Sequence, residues 1–213
     1  MIATSKLISL GFLSAGIFIL MQVILPIISF QVWEVGQKIS SQALVSPKQD
    51  VGGKILGVSV QNKDNFPSFV SNNKRETKAT YSEFKLTVPK INLSEVLVYV
   101  DSNDLTKGLA HLPATALPGE KGNVFISGHS ALSRFWEADA YFAKLTDIKV
   151  GDQIEIEASG ANFIYEVTNV KTISPTDLSV ITPPDETGRY ITLMTCVPPG
   201  LNFKRLIVLG KMR

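Results

Sequence analysis

Tyr190-Ile-Thr-Leu-Met-Thr-Cys-Val-Pro-Pro-Gly-Leu-Asn-Phe-Lys-Arg-Leu-Ile-Val-Leu-Gly210 reads as two strands around a loop. Tyr190 to Thr195 is β-branched and apolar, and Leu206 to Leu209 is a second short apolar run. Between them, Pro198 and Pro199 cannot donate to a ladder and Gly200 frees the turn. Cys196, the only cysteine in 213 residues, ends the first strand, and Arg205 begins the second. If the two pair as a hairpin, thiol and guanidinium meet at one rim of a sheet, a workable place for a nucleophile beside a fixed positive charge. The competing reading is a structural thiol, since free cysteine is among the most buried residue types.

Outward from that stretch the pattern stays β. Phe84–Val88 alternates apolar and polar and stops at Pro89. Ser94–Val100, Asn123–Ser127, Gln153–Glu157, Asn162–Val167 and Asn169–Ile173 are further strand candidates, with turns at Gly151-Asp152 and Gly160. A helical turn is expected within Asp104–His111, and helix-like spacing runs over Phe135–Asp147. Asp177–Ile181 reads as a short helix capped by Ser174 or Thr176. About eight short strands in about 130 residues with at most two short helices give an all-β class, and closure into a barrel removes exposed edges.

Leu7 to Phe30 carries no charged side chain. These 24 residues at 1.5 Å each span about 36 Å, enough for a hydrocarbon core of about 30 Å. A cleaved signal peptide would have an apolar region of only about 7–15 residues, so the run reads as an uncleaved anchor over 1–33. Lys6 and the amino terminus place the N-terminus in the cytoplasm and the rest outside the cell. An odd cysteine in an exported chain points to intermolecular pairing or a reactive thiol. Residues 34–80 read as a juxtamembrane stalk, polar from Gln61 to Thr80. Lys54–Val60 is a short apolar patch in it, either a strand packing on the domain or part of the linker. A domain starting near Thr80 is therefore expected to fold alone. The net charge of +2 implies no strongly charged partner, and no nucleic-acid motif is present.

The chain has two histidines. His129 follows an apolar strand in Ser127-Gly-His-Ser130, and neutral histidine titrates near 6.5, so it can serve as acid or base. Its other reading is a histidine capping a strand end. Cysteine, histidine and arginine together supply the nucleophile, proton shuttle and oxyanion stabiliser of acyl transfer. One cysteine and two distant histidines give no metal-ligand spacing.

Leu193-Met-Thr-Cys196 with Arg205 nine residues on resembles the cysteine motif and downstream arginine of the sortases, the cysteine transpeptidases of the bacterial cell surface. Gly119–Ser130 is similar to the segment that carries their histidine, and Val88-Pro-Lys-Ile91 to their opening strand. The resemblance covers about Tyr81 to Arg213. It implies a closed eight-stranded barrel over 81–213 with one or two short helices, preceded by the transmembrane helix. It implies Cys196 as nucleophile, His129 as general acid/base and Arg205 as stabiliser of the oxyanion, with Thr195 contacting substrate and no metal or cofactor. The implied partners are surface proteins with a C-terminal sorting motif of the Leu-Pro-x-Thr-Gly kind, and an amine from a peptidoglycan precursor or a pilin lysine. Arg205 and a charged His129 are expected to raise the thiolate fraction of Cys196. His111 is taken as structural, and Leu112-Pro-Ala-Thr-Ala116 as a loop. In L,D-transpeptidases the histidine lies a few residues upstream of the cysteine, whereas here the separation is 67 residues. Papain-like hydrolases have the reverse order. The non-enzymatic alternative is an anchored β-domain that binds a ligand, with Cys196 buried; thiol labelling of folded protein separates the two.

Overall fold

The computed structural model describes residues 2–40, 58–63, 66–130, 140–199 and 203–213. Two compact units emerge, Met1–Ser41 and Gln42–Arg213. The first is one helix, α1 (Ile2–Ser40), which continues past the expected anchor. Its window Gly11–Ser29 has a mean hydropathy of 2.3 over 19 residues and is long and apolar enough to cross a membrane.

The second unit begins with a two-stranded sheet, β1 (Val58–Lys63) and β2 (Phe66–Ser71). Eight strands follow: β3 (Glu83–Val88), β4 (Leu93–Tyr99), β5 (Leu109–His111), β6 (Gly122–Ser127), β7 (Gln153–Ala158), β8 (Ala161–Ile173), β9 (Arg189–Val197) and β10 (Lys204–Met212). They close a barrel in the order β10-β8-β7-β3-β4-β5-β6-β9. The pairs β4–β5 and β6–β9 are parallel and the others antiparallel. The all-β barrel expected from the strand pattern is present.

Period-two alternation sets the interior. Ile191, Leu193 and Val197 of β9, Leu206 and Val208 of β10, and Val124 and Ile126 of β6 have no solvent exposure. The alternate positions of these strands face outward, and several are apolar too. Phe125, Ile173, Met194 and Ile207 form an outer cluster with Leu112, with Leu178, Val180 and Ile181 of the β8–β9 connection, and with Val58 and Phe69 of the β1–β2 sheet.

Several expectations shift. Asn162–Val167 and Asn169–Ile173 are one continuous strand, β8, and the region expected to hold a helical turn contains β5. Within Phe135–Asp147, residues 131–139 lie outside the described residues; the remainder is turn with a 3-10 segment at Leu145–Asp147. The expected helix at Asp177–Ile181 is a 3-10 turn, Ser179–Ile181, without a side-chain cap from Ser174 or Thr176. Asp177 instead accepts from the Ser179 N–H at 3.0 Å.

The stretch read as a stalk also differs over its described part. Val58 and Phe69 are 1% and 6% exposed in the outer cluster. Arg75 pairs with Asp101 at 3.2 Å and donates to the Thr115 carbonyl at 2.6 Å. Polar composition hid this because two well-placed apolar side chains suffice to dock a hairpin.

The expected independence of a fragment from Thr80 changes accordingly. Burying Val58 and Phe69 contributes about 1.5–3 kcal/mol each at most. Residues 80–213 should therefore unfold at lower temperature and lower denaturant than residues 42–213, by several kcal/mol. Equal midpoints in side-by-side denaturation would show that the segment contributes nothing.

Candidate active site

Three neighbouring strands deliver the site. Antiparallel pairing of β9 with β10 sets Cys196 directly opposite Arg205. Directly opposed residues share a face, with Cβ atoms about 4.5–5.5 Å apart. On the other side of β9, the parallel ladder with β6 sets Ser127 opposite Met194. One residue on, Gly128 donates its N–H to the Met194 carbonyl at 3.1 Å and accepts the Thr195 hydroxyl at 2.8 Å. The next residues are His129 and Cys196. The His129 carbonyl accepts the Phe142 N–H at 3.1 Å, so the histidine's backbone is held from both sides.

Gly128 has to be a glycine. A Cβ there would stand 2.4 Å from Leu109 Cδ2 and 2.7 Å from Phe142 Cδ2. Its role was missed in the sequence; a glycine between a buried strand and a histidine was the available signal. Thr195 departs from its expected contact with substrate. It is 3% exposed, and its hydroxyl is committed to the Gly128 carbonyl. Thr195 clasps the His129 backbone to the Cys196 strand.

The β8–β9 connection lies over the same outer face. Asn123 anchors it, donating to the Val180 and Ile181 carbonyls at 3.1 Å each and accepting the Thr192 hydroxyl at 2.9 Å. Further along, Asp185 accepts the Tyr190 hydroxyl and the Gly188 and Thr187 N–H groups, which lowers its pKa to about 2, and the bond to Asp185 raises that of Tyr190 to about 12. β8 runs through Thr168 to Ile173, so the connection to β9 starts only after Ile173.

Cys196 is half-buried and Arg205 is 2% exposed. Arg205 donates Nη1–H to the Lys204 carbonyl at 3.1 Å. Burial pushes the Cys196 thiol above 9.0 and outweighs the opposing pull of the Arg205 charge. Burial also lowers His129 below 6.5. Arg205 acts on the thiol in the expected direction, but desolvation is larger. The resting pair is neutral thiol and neutral imidazole.

His111 sits apart from these groups, on β5, with no exposed surface. Its Nδ1 accepts the Asp101 N–H at 3.3 Å and its Nε2 lies 2.9 Å from the Ala116 carbonyl, which assigns the neutral Nε2–H tautomer. Burial lowers its pKa to about 4. Among the described residues no group of three or more His, Cys, Asp and Glu side chains is placed to hold a metal ion.

A family model of the sortase domain matches residues 86–213. Sortase D of Bacillus subtilis is 34% identical over 130 residues, which cover 59% of this chain and 61% of that protein. A lid mutant of sortase A from Corynebacterium diphtheriae superposes with a TM-score of 0.56 at 30% identity, covering 65% of this chain and 73% of that one. The Sortase D5 transpeptidase of Clostridium perfringens gives 0.54 at 27% identity, covering 65% and 82%. The barrel brings one cysteine, one histidine and one arginine to the ends of three adjacent strands. The chain belongs to the sortase family and spans about three fifths of the length of Sortase D.

Two outcomes follow from this geometry. Thr195→Val keeps the shape but strands the Gly128 carbonyl; kcat/KM should fall by about tenfold or more, in line with 1–3 kcal/mol for a buried unsatisfied acceptor, while Thr195→Ser stays close to wild type. Unchanged kinetics in Thr195→Val would show that the clasp does not position His129. For His111, folding lowers the pKa from 6.5 to about 4, so the unfolded chain binds more protons between those values. Stability should be full above pH 6.5 and fall toward pH 4, by at most about 3 kcal/mol. Denaturant melts should show this slope in the wild type and lose most of it in His111→Gln. Asp185 acts in a lower window, between 3.8 and about 2.

Proposed function

We propose that the chain is a membrane-anchored cysteine transpeptidase that cleaves a sorting motif of the Leu-Pro-x-Thr-Gly kind and transfers the acyl group to an amine. The observation that carries this reading is the direct pairing of Cys196 with Arg205 on the strand clasped to the Gly128–His129 segment. α1 serves as the anchor, with the N-terminus in the cytoplasm and the barrel outside. Its support is the uncharged run Leu7–Phe30 preceded by Lys6.

In the first half-reaction the Cys196 thiol gives its proton to His129, and Sγ attacks the carbonyl carbon between the last two motif residues. Arg205 stabilises the oxyanion; a guanidinium so little exposed is screened less than one in water and needs no reorganisation. The C–N bond breaks, His129 returns the proton to the leaving amine, and the donor remains as a thioester on Cys196. In the second half an amine attacks the thioester and gives a proton to His129. Collapse expels the Cys196 thiolate, which His129 reprotonates. The donors are surface proteins with a C-terminal sorting motif, and the acceptor is the amine of a peptidoglycan precursor or a pilin lysine.

Both protonation forms of the pair, thiol with imidazole and thiolate with imidazolium, carry one proton. The rate therefore follows the one-proton state, whose limits belong to the pair. With His129 lowered and Cys196 raised, kcat/KM should be flat near neutrality, with its acid limb below 6.5 and its alkaline limb above 9.0.

The experiment is turnover of a motif peptide with an added amine, with folding checked for each variant. Cys196→Ala should abolish cleavage and the thioester adduct. His129→Ala should cost at least about 10²-fold and Arg205→Ala about 10²–10³-fold. Arg205→Lys should rescue only in part, because ammonium lacks the planar fork. Turnover by Cys196→Ala would refute the proposal, whereas limbs inside 6.5–9.0 would overturn only the assigned directions of the two titrations.

A further inference from the structure

Period-two alternation along β9 puts Thr192, Met194 and Cys196 in one outward row, between the inward positions Ile191, Leu193 and Val197. Met194 is about 7 Å from Cys196 along the strand and Thr192 about 13 Å. A donor that lies extended down this row with its acyl carbon at the thiol reaches Thr192 about four residues upstream. Beside the row stands Leu178–Ile181 of the β8–β9 connection. Leu178, Val180 and Ile181 pack in one cluster with Met194 and Ile207, so this segment walls the path that the donor takes.

The wall has little of its own to hold it. It shares no ladder with the barrel, and its 3-10 turn has no side-chain cap at its start. Ser179 donates its N–H to Asp177 and Ile181 donates its own to the Leu178 carbonyl, both within the connection. The last carbonyls of a short helix have no partner inside it. Those of Val180 and Ile181 are taken by the Asn123 amide, on β6, at 3.1 Å each. A carbonyl only accepts, so both amide N–H groups face the wall, and the amide oxygen takes the Thr192 hydroxyl at 2.9 Å. Asn123 is 3% exposed, so all three bonds are made inside the protein. Asparagine alone offers two donors and an acceptor on so short a stem.

We propose that Asn123 is a positioning residue for the acyl donor: its amide fixes the Leu178–Ile181 wall beside the Met194 row, which sets donor affinity and leaves the chemistry at Cys196 untouched. This rests on the transpeptidase reading and adds to it a residue remote from the thiol that acts through the wall. A wall fixed before the donor arrives need not be ordered on binding. Once the two carbonyls lose their donors, the wall is in place in only a fraction of the molecules, and apparent affinity for the donor falls by that fraction.

The test uses the full chain with Asn123→Leu, Asn123→Asp and Thr192→Val. Asn123→Leu is close in size and removes both donors. Asn123→Asp keeps at most one, as the neutral acid. Thr192→Val keeps both and loses only the bond to the amide oxygen. The assay is a Leu-Pro-x-Thr-Gly peptide with an added amine, and alkylation of Cys196 by iodoacetamide is followed by intact mass. Asn123→Leu should raise the peptide KM by about fivefold or more, while kcat, the amine KM and the alkylation rate each stay within about twofold. Asn123→Asp should fall between, and Thr192→Val should keep the peptide KM within about twofold. Each variant loses a buried hydrogen bond, so general loosening would move all three alike, whereas release of the wall moves only the two at Asn123. A peptide KM unchanged in folded Asn123→Leu, or raised as much by Thr192→Val, would overturn the proposal. If Asn123→Leu does not fold, Asn123→Asp decides, together with hydrogen exchange: amides of 178–181 must exchange faster in it than in the wild type and in Thr192→Val, and equal exchange refutes the pin. If no chain turns over peptide while exchange separates as stated, the transpeptidase reading fails and Asn123 remains only the clamp of the wall. If the wild type turns over peptide and KM is unmoved at Asn123, the positioning proposal fails and the transpeptidase reading stands.

Discussion

The site depends on β9 lying between β6 and β10, parallel to the first and antiparallel to the second. The antiparallel side needs only the short β9–β10 loop. The parallel side needs a long crossover, and here that crossover contains β7 and β8. Two residues 67 positions apart in sequence, His129 and Cys196, thus reach one rim. Ladder pairing stops at Ser127, however, and leaves the last step from Ser127 to His129 to be fixed otherwise. The Thr195 hydroxyl and the Gly128 amide fix it, and the contact of Gly128 with Leu109 and Phe142 leaves no room for a larger residue.

That arrangement has an electrostatic consequence. A rim close enough to the core to hold its groups rigidly is also partly desolvated. Desolvation acts on both titrating groups toward neutrality, raising Cys196 and lowering His129. Arg205 opposes this for the thiol but does not overcome it. Such a charge has more effect on a transition state that develops negative charge on oxygen than on a ground-state thiol that remains protonated. The fixed guanidinium and the neutral resting pair are therefore compatible parts of one design, in which charge is stabilised where it forms.

Much of this was legible because it is local. The strand end at Ser127, and the ends of β9 and β10 to within two residues, followed from alternation and from the proline–glycine loop, and they located His129, Cys196 and Arg205. The strand count was also near the truth, but through two offsetting differences. The polar Thr168 suggested a break where β8 continues, its hydroxyl donating to the Leu209 carbonyl at 3.2 Å. β5, only three residues long, carried too little pattern to register. The parallel contacts that close the barrel, the inward turn of Thr195 and the net direction of the thiol's pKa are set by residues distant in sequence, where no local period applies. The docking of Val58 and Phe69 was obscured for a related reason, since the average polarity of a segment says little about where its few apolar residues land.

The two histidines show how one physical cause yields two different roles. Burial lowers the pKa of both. In His111 it is complete: Nδ1 accepts a backbone N–H, Nε2 faces the Ala116 carbonyl and the Thr115 hydroxyl at 3.0 Å, and the ring stacks edgewise on Phe84. Neither nitrogen is open to a reacting group, and charging the ring would put a buried cation beside Arg75, whose charge further lowers its pKa. His111 therefore ties β5 to the loop before β6, the strand whose far end leads to His129. At His129 burial is partial. It favours a neutral ring at rest without enclosing it, which is what a group needs if it is to take a proton from a thiol and return it to an amine. Histidine identity alone did not separate the two; the extent of enclosure does.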